Sequence, residues 1–356
     1  MGFVRHEPRA TGVTRVTAAD DAREKAPAEK GPGRAGWLFG AVTVVPAMLA
    51  AAWLLPAFPL LLAGRLSARP LVFMFVPLAA GLCYFALRQL PAAWPGFREG
   101  TPRARWWPLA ATVAIAAAFT AWQMAERSEQ IIYLRDPATY LQVGYWIAHH
   151  GYLPIPESVA AFGGPHPGLS FASSNYYPRG TGIVPQFMTG LPLVLAAGFW
   201  LHGIKAALLV TPLIGGCAVL SFGGLAGRLA GPGWAPAAAA VLALSLPEQY
   251  TSRGTFSEPL AQVLLFGGLC LLADSLTVNR EPGRIPDWPR QDKVLAALAG
   301  LALGLTILVR IDGLSDILPA VPFLGVLLAA RRRQAVPFGV APVSYTHLTL
   351  PTTPYV

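Results

Sequence analysis

Residues 131–151 read IIYLRDPATYLQVGYWIAHHG. An apolar span precedes them, and they open the longest polar interval in an otherwise apolar chain. The Asp136-Pro137 step is a helix start, with Asp able to cap and Pro suited to the first helical position. About four turns follow, with Tyr and Trp among the apolar positions. In water this is an ordinary amphipathic helix. Beside a membrane it lies in the interface and holds the Asp136 carboxylate at the bilayer surface.

The composition decides for the membrane. Of 356 residues, 54% are hydrophobic and 13% charged, against about 25% charged in a soluble domain. Several apolar runs approach the length of a bilayer span. The net charge of +9 sits in short clusters between those runs, as orientation signals do. There is no nucleic-acid motif and no basic face interleaved with aromatics. Cys83, Cys217 and Cys270 lie inside apolar runs and read as small core residues. No Walker loop, dinucleotide fingerprint, HExxH or GxSxG is present.

Working outward, residues 1–36 are polar, without period, and carry seven Lys and Arg. They predict a disordered cytoplasmic tail. Residues 37–124 hold three spans: Trp37 to Leu62, Leu71 to Leu90, and Trp107 to Met124. Residues 125–203 form a long external loop containing the opening stretch. Ile183 to Leu201 is apolar but broken by Pro185, Gln186, Gly190, Pro192 and Gly198. If it does not span, 19 of the 27 Lys and Arg fall on the cytoplasmic side. If it does, the split is 14 to 13. The positive-inside rule selects the first arrangement, so the segment reads as re-entrant or interfacial.

Residues 204–342 hold further spans: Ala206 to Ala226, Ala235 to Leu246, Leu260 to Val278, Val294 to Val309 and Ile317 to Ala330. Residues 343–356 resemble a translated sequencing-library adapter, and the genuine chain is expected to be cut off near Pro342. The expected fold is an all-α integral membrane protein of about eight transmembrane helices, with an external loop carrying an amphipathic interfacial helix.

Two acids and three arginines stand out among the acids and the eight Lys and Arg that fall on the expected external side. Asp136 is a candidate general base, with helix capping as the plain alternative. Glu258, in TFSEPL at the start of a span, is a second acid; there Ser257 would cap, and the helix dipole favours the carboxylate. Glu248 is a weaker alternative. Arg310, Arg253 and Arg135 lie beside spans on the side that the positive-inside rule disfavours, and guanidinium groups bind phosphate bidentately. Snorkelling, or pairing with Asp312, is the plain alternative for Arg310. His149, His150 and His166 lack a convincing metal spacing.

Four segments occur in order: RDPATYLQVGYWIAHHG (135–151), YYPRG (176–180) followed by the broken apolar run, SRGTFSEPLAQVLL (252–265) and GLALGLTILVRIDG (300–313). Together they resemble the GT-C class of membrane glycosyltransferases, in the branch of bacterial relatives of protein mannosyltransferases and aminoarabinose transferases. The resemblance implies a polyprenyl-phosphate sugar donor in the bacterial plasma membrane and transfer to an acceptor hydroxyl outside it, with inversion. It matches Asp136 to the acid of the first external loop and Glu258 to the acid of the next, where the family commonly has Asp. It leaves the acceptor (protein, lipid or glycan) and any divalent cation open. A multi-spanning transporter or lipid flippase is the alternative, but it would want polar residues at mid-span and helical repeat symmetry.

Overall fold

A computed structural model describes residues 2, 34–91, 102–132, 135–277, 291–313, 315 and 318–349. The disordered tail expected at 1–36 therefore lies almost wholly outside the described residues. The helices are α1 (Arg34–Leu62), α2 (Ala68–Gln89), α3 (Pro102–Ala125), α4 (Arg135–His150), α5 (Gly190–Ala230), α6 (Ala235–Leu244), α7 (Leu246–Arg253), α8 (Glu258–Thr277), α9 (Gln291–Val309), α10 (Ala320–Ala329) and α11 (Ala335–Thr349). Between α4 and α5 lie strands β1 (Ile155–Pro156), β2 (Tyr176–Arg179) and β3 (Gly182–Pro185).

Six of these helices are long and apolar enough to cross a membrane. Two shorter apolar helices, Pro232–Leu244 and Ala320–Ala329, fall on the other expected spans. Apolar residues also point outward: Phe73 and Val76 on α2, Leu213 on α5 and Val241 on α6 are all exposed. A water-soluble bundle would bury that surface, whereas hydrocarbon solvates it. By composition and surface, the chain is a helical multi-pass membrane protein.

The helix ends sort into two groups. Leu66 N–H donates to Gly151 O at 3.2 Å, joining the link after α1 to the end of α4. A Cβ on Gly190 would lie 2.7 Å from Leu308 O, so α5 starts where α9 finishes. Ser128 N–H donates to Arg253 O at 2.9 Å, placing the end of α3 beside the end of α7. The long loop, α4, α7 and the turn after α9 therefore share one end of the bundle. The start of α1 lies at the other, with the end of α8, where Gln334 Nε2 donates to Ser275 O at 3.3 Å.

The broken segment 183–201 is not one piece. Ile183 to Pro185 belong to β3, which pairs antiparallel with β2 and with β1 in the order β1-β3-β2. The polar loop thus carries a small sheet, which the all-α expectation had not included. The β2–β3 hairpin closes on Gly180 and Thr181, with Gly180 at φ 65°, where glycine escapes a Cβ clash. Pro178 sits on the edge strand β2, which tolerates its missing N–H. From Gly190 the chain is helical, but His202 and Gly203 leave helical geometry and divide α5 into two limbs. The limbs fold tightly enough that a Cβ on Gly198 would sit 2.5 Å from Ala207 Cα. The first limb packs against α4 at Gly144, and Trp200 Nε1 donates across to Ala148 O at 2.8 Å.

At the opposite end, Arg228 is buried. Its guanidinium grips Asp274 of α8 bidentately, at 2.9 and 2.7 Å, and donates to Thr43 Oγ1 of α1 at 3.0 Å. Among the described residues, α11 continues to Thr349 and packs Phe338 and Pro342 against Gly300 and Gly304 of α9. The helix thus runs past Pro342 into the stretch read as adapter-derived.

Candidate functional site

α4 lies across the loop-bearing end of the bundle. Its buried face carries Ala138, Tyr140, Leu141, Val143 and Ile147. Thr255, just before α8, donates its hydroxyl to Pro137 O at 2.5 Å and so ties the first turn of α4 to the start of α8. Asp136 occupies that first turn. Tyr140, four residues on, projects from the same face.

Around Tyr140 three elements converge. Its hydroxyl is hydrogen-bonded to Ser257 Oγ at 3.0 Å. Arg310, just past α9, approaches the same oxygen at 3.4 Å and ion-pairs with Glu258. Asp312 takes two hydrogen bonds from Arg310, at 2.7 and 2.6 Å. Ser257, the cap of α8 in the plain alternative reading, turns its hydroxyl to Tyr140 and Arg310.

The electrostatics follow from these contacts. Arg310's hydrogen bonds hold the Asp312 carboxyl below the ordinary carboxylate range. Burial pushes the Tyr140 phenol well above its ordinary value, and the charges of Glu258 and Asp136 add to that. Tyr140 therefore stays neutral and acts as a hydrogen-bonding group, not a base. Asp136 is half-buried and makes no hydrogen bond or ion pair among the described residues. Three carboxylates against one guanidinium leave the cluster net negative.

The predicted residues thus divide. Asp136, Glu258 and Arg310 come together. Arg253 does not join them: it donates to Gln123 Oε1 at 2.7 Å and lies over the Trp122 ring. Arg135 turns to the loop, donating to Ser174 O at 2.9 Å and to Gln186 Oε1 at 2.6 Å, over Phe187. His149 and His150 stack on their own helix, each with Nδ1 at a backbone carbonyl one turn back. No group of three or more His, Cys, Asp or Glu suited to a metal occurs among the described residues. Tyr140 was not singled out in the sequence, although its spacing from Asp136 on one helix face is visible there.

A cleft of about 450 Å³ opens on the other side of α4, between Leu141, Tyr145 and His149 and the α5 kink at Phe199 and Ile204. Its lining is almost wholly apolar. Gln142 closes one wall, donating to Ile131 O at 3.0 Å and accepting from the Tyr176 hydroxyl at 3.1 Å.

Comparison of the chain with protein-family models, with curated proteins and with solved structures finds no match.

Proposed function

We propose that this chain is a membrane glycosyltransferase of the GT-C kind. It takes a sugar from a polyprenyl-phosphate donor and passes it to an acceptor hydroxyl at the external face of the bacterial plasma membrane. The observation that carries the reading is the convergence of Asp136 with the Tyr140–Ser257–Glu258–Arg310–Asp312 cluster at one end of an apolar bundle. The apolar cleft beside α4 supports it, being suited to a greasy carrier. The N-terminus and the Arg228 end then face the cytoplasm.

In this reading the acceptor oxygen attacks the anomeric carbon and its proton passes to Asp136. The bond from that carbon to the phosphate oxygen breaks, and polyprenyl phosphate leaves with the electron pair. Attack opposite the leaving group inverts the anomeric centre. A hydroxyl is a weak nucleophile, so a positioned base contributes about 10²–10⁴ in rate. Arg310 serves as the phosphate's nearest cation, although Asp312 and Glu258 already claim much of its charge.

The test is reconstitution of the purified chain in proteoliposomes with labelled polyprenyl-phosphate sugars. Release of polyprenyl phosphate that depends on an added cell-envelope extract as the source of acceptor hydroxyl, with inverted product, is the expected result. Movement of the lipid across the bilayer without cleavage would replace this reading with the flippase.

A further inference from the structure

Cations on the expected external side run against the positive-inside rule, so each calls for a local partner. Of the eight Lys and Arg there, Arg127, Arg135, Arg253 and Arg310 are engaged by protein groups. Arg65, Arg69 and Lys205 are exposed and make no hydrogen bond or ion pair among the described residues. The fold brings these three to one corner. Leu66, next to Arg65, is bonded to Gly151 at the end of α4. Trp200, bonded to Ala148 O, has its ring 6.3 Å from that of Trp53 on α1. Trp53 in turn lies 5.2 Å from Phe75 of α2. The α1–α2 link, the carbonyl end of α4 and the α5 kink before Lys205 therefore adjoin.

Little in the neighbouring chain offsets this charge. Residues 58–72, 140–156 and 190–212 contain no Asp or Glu. The carbonyl end of α4 offers about half a unit of negative charge against three positive ones. Arg69 lies in the first turn of α2, where the helix dipole is itself positive. Leu62, Leu201 and Ile204 are exposed beside these cations in the chain, and so are Tyr145 and Tyr152. Cations and tyrosines bordering outward apolar side chains suit a lipid, with its phosphate on the charges and its hydrocarbon on the leucines.

We propose that Arg65, Arg69 and Lys205 hold the phosphate of an anionic glycerophospholipid, whose chains lie along Leu62, Leu201 and Ile204. The polyprenyl-phosphate donor shares this chemistry, but its phosphate has to reach Asp136. Asp136 and His149 are thirteen residues apart on α4, about 20 Å at a rise of about 1.5 Å per residue. A donor held at this corner keeps its sugar out of reach of that carboxylate, so the site belongs to a second lipid. That lipid braces the end of α4. Its binding does not depend on the glycosyltransferase reading.

The experiment is native mass spectrometry of the full chain in detergent, with phosphatidylglycerol and phosphatidylcholine of matched chains in competition. Phosphatidylglycerol is expected to be retained in preference, and to slow amide exchange over 145–150 where phosphatidylcholine does not. Each cation removed weakens the preference about fivefold, so Arg65→Gln, Arg69→Gln and Lys205→Gln together lower it about a hundredfold. The single variants carry the test if the triple one melts early. Arg179→Gln, an exposed cation on β2, leaves the preference unchanged. Equal retention of the two lipids overturns the site, as does a full preference in the single and triple variants. Displacement of phosphatidylglycerol by an equal amount of polyprenyl phosphate also overturns it, giving the corner to the donor. Selective phosphatidylglycerol binding in a chain that transfers no sugar leaves the site standing and removes the glycosyltransferase reading.

Discussion

Asp136 and Arg310 differ in what holds them. Arg310 is engaged by Ser257, Glu258 and Asp312, whereas Asp136 keeps its carboxylate for whatever approaches. Under the proposed function, replacing Asp136 by Asn preserves shape and removes the base, so sugar transfer is expected to fall by about 10²–10⁴ with thermal stability nearly unchanged. A single-turnover assay beside a melting curve checks both. Asp312 makes a second prediction. Its pKa is lowered in the folded protein, so its pair with Arg310 stabilises fully above the ordinary carboxylate range and is lost as pH falls through the lowered value. The melting temperature of the parent should therefore fall more steeply than that of Asp312→Asn between about pH 5 and about pH 3. The difference is modest and salt-sensitive, because Asp312 is largely exposed. Asp136, Glu258 and Arg310 were legible as candidates because an acid or arginine beside an apolar span is conspicuous. The partnership of Tyr140 with Ser257 was not, since 117 residues separate them and a Tyr and a Ser are unremarkable in sequence.

At the scale of elements, the position of α4 is fixed by its termini. Gly151 ends the helix at φ 77°, and a Cβ there would lie 2.5 Å from Leu66 O. Gly151→Ala should therefore loosen α4, giving faster amide exchange over 135–150 and lower turnover, and an unchanged exchange pattern would speak against that anchor. At the far end, Arg228 and Asp274 join α5 to α8 in a dry environment. Removing one partner strands a buried charge at a cost of about 3–5 kcal/mol. Arg228→Leu should unfold more readily in denaturant titrations than Arg228→Leu combined with Asp274→Leu. The long helices were legible because a span needs about twenty apolar residues. The β2–β3 hairpin is not legible in the sequence, because Pro178 on the edge strand and Pro185 at the end of the central one are poor strand formers. The α5 kink depends on packing between Gly198 and Ala207, a contact made only once both limbs have folded.

Over the whole molecule, the arrangement of helix ends sets the candidate site residues Asp136, Glu258 and Arg310 at one pole and the Arg228–Asp274 pair at the other. At the far pole Arg228 is held by its ion pair with Asp274 and not by a solvated loop. The proposal requires the pole carrying Asp136 to face away from the cytosol, where lipid-borne sugar and acceptor meet. The most direct measurement is labelling with a membrane-impermeant maleimide in intact cells, using single cysteines at Ser170, in the exposed loop of the Asp136 pole, and at Arg34, at the start of α1, on a cysteine-free background. The cysteine at 170 is expected to label from outside and the one at 34 only after permeabilisation; the reverse pattern would put the Asp136 pole in the cytosol and end the glycosyltransferase proposal.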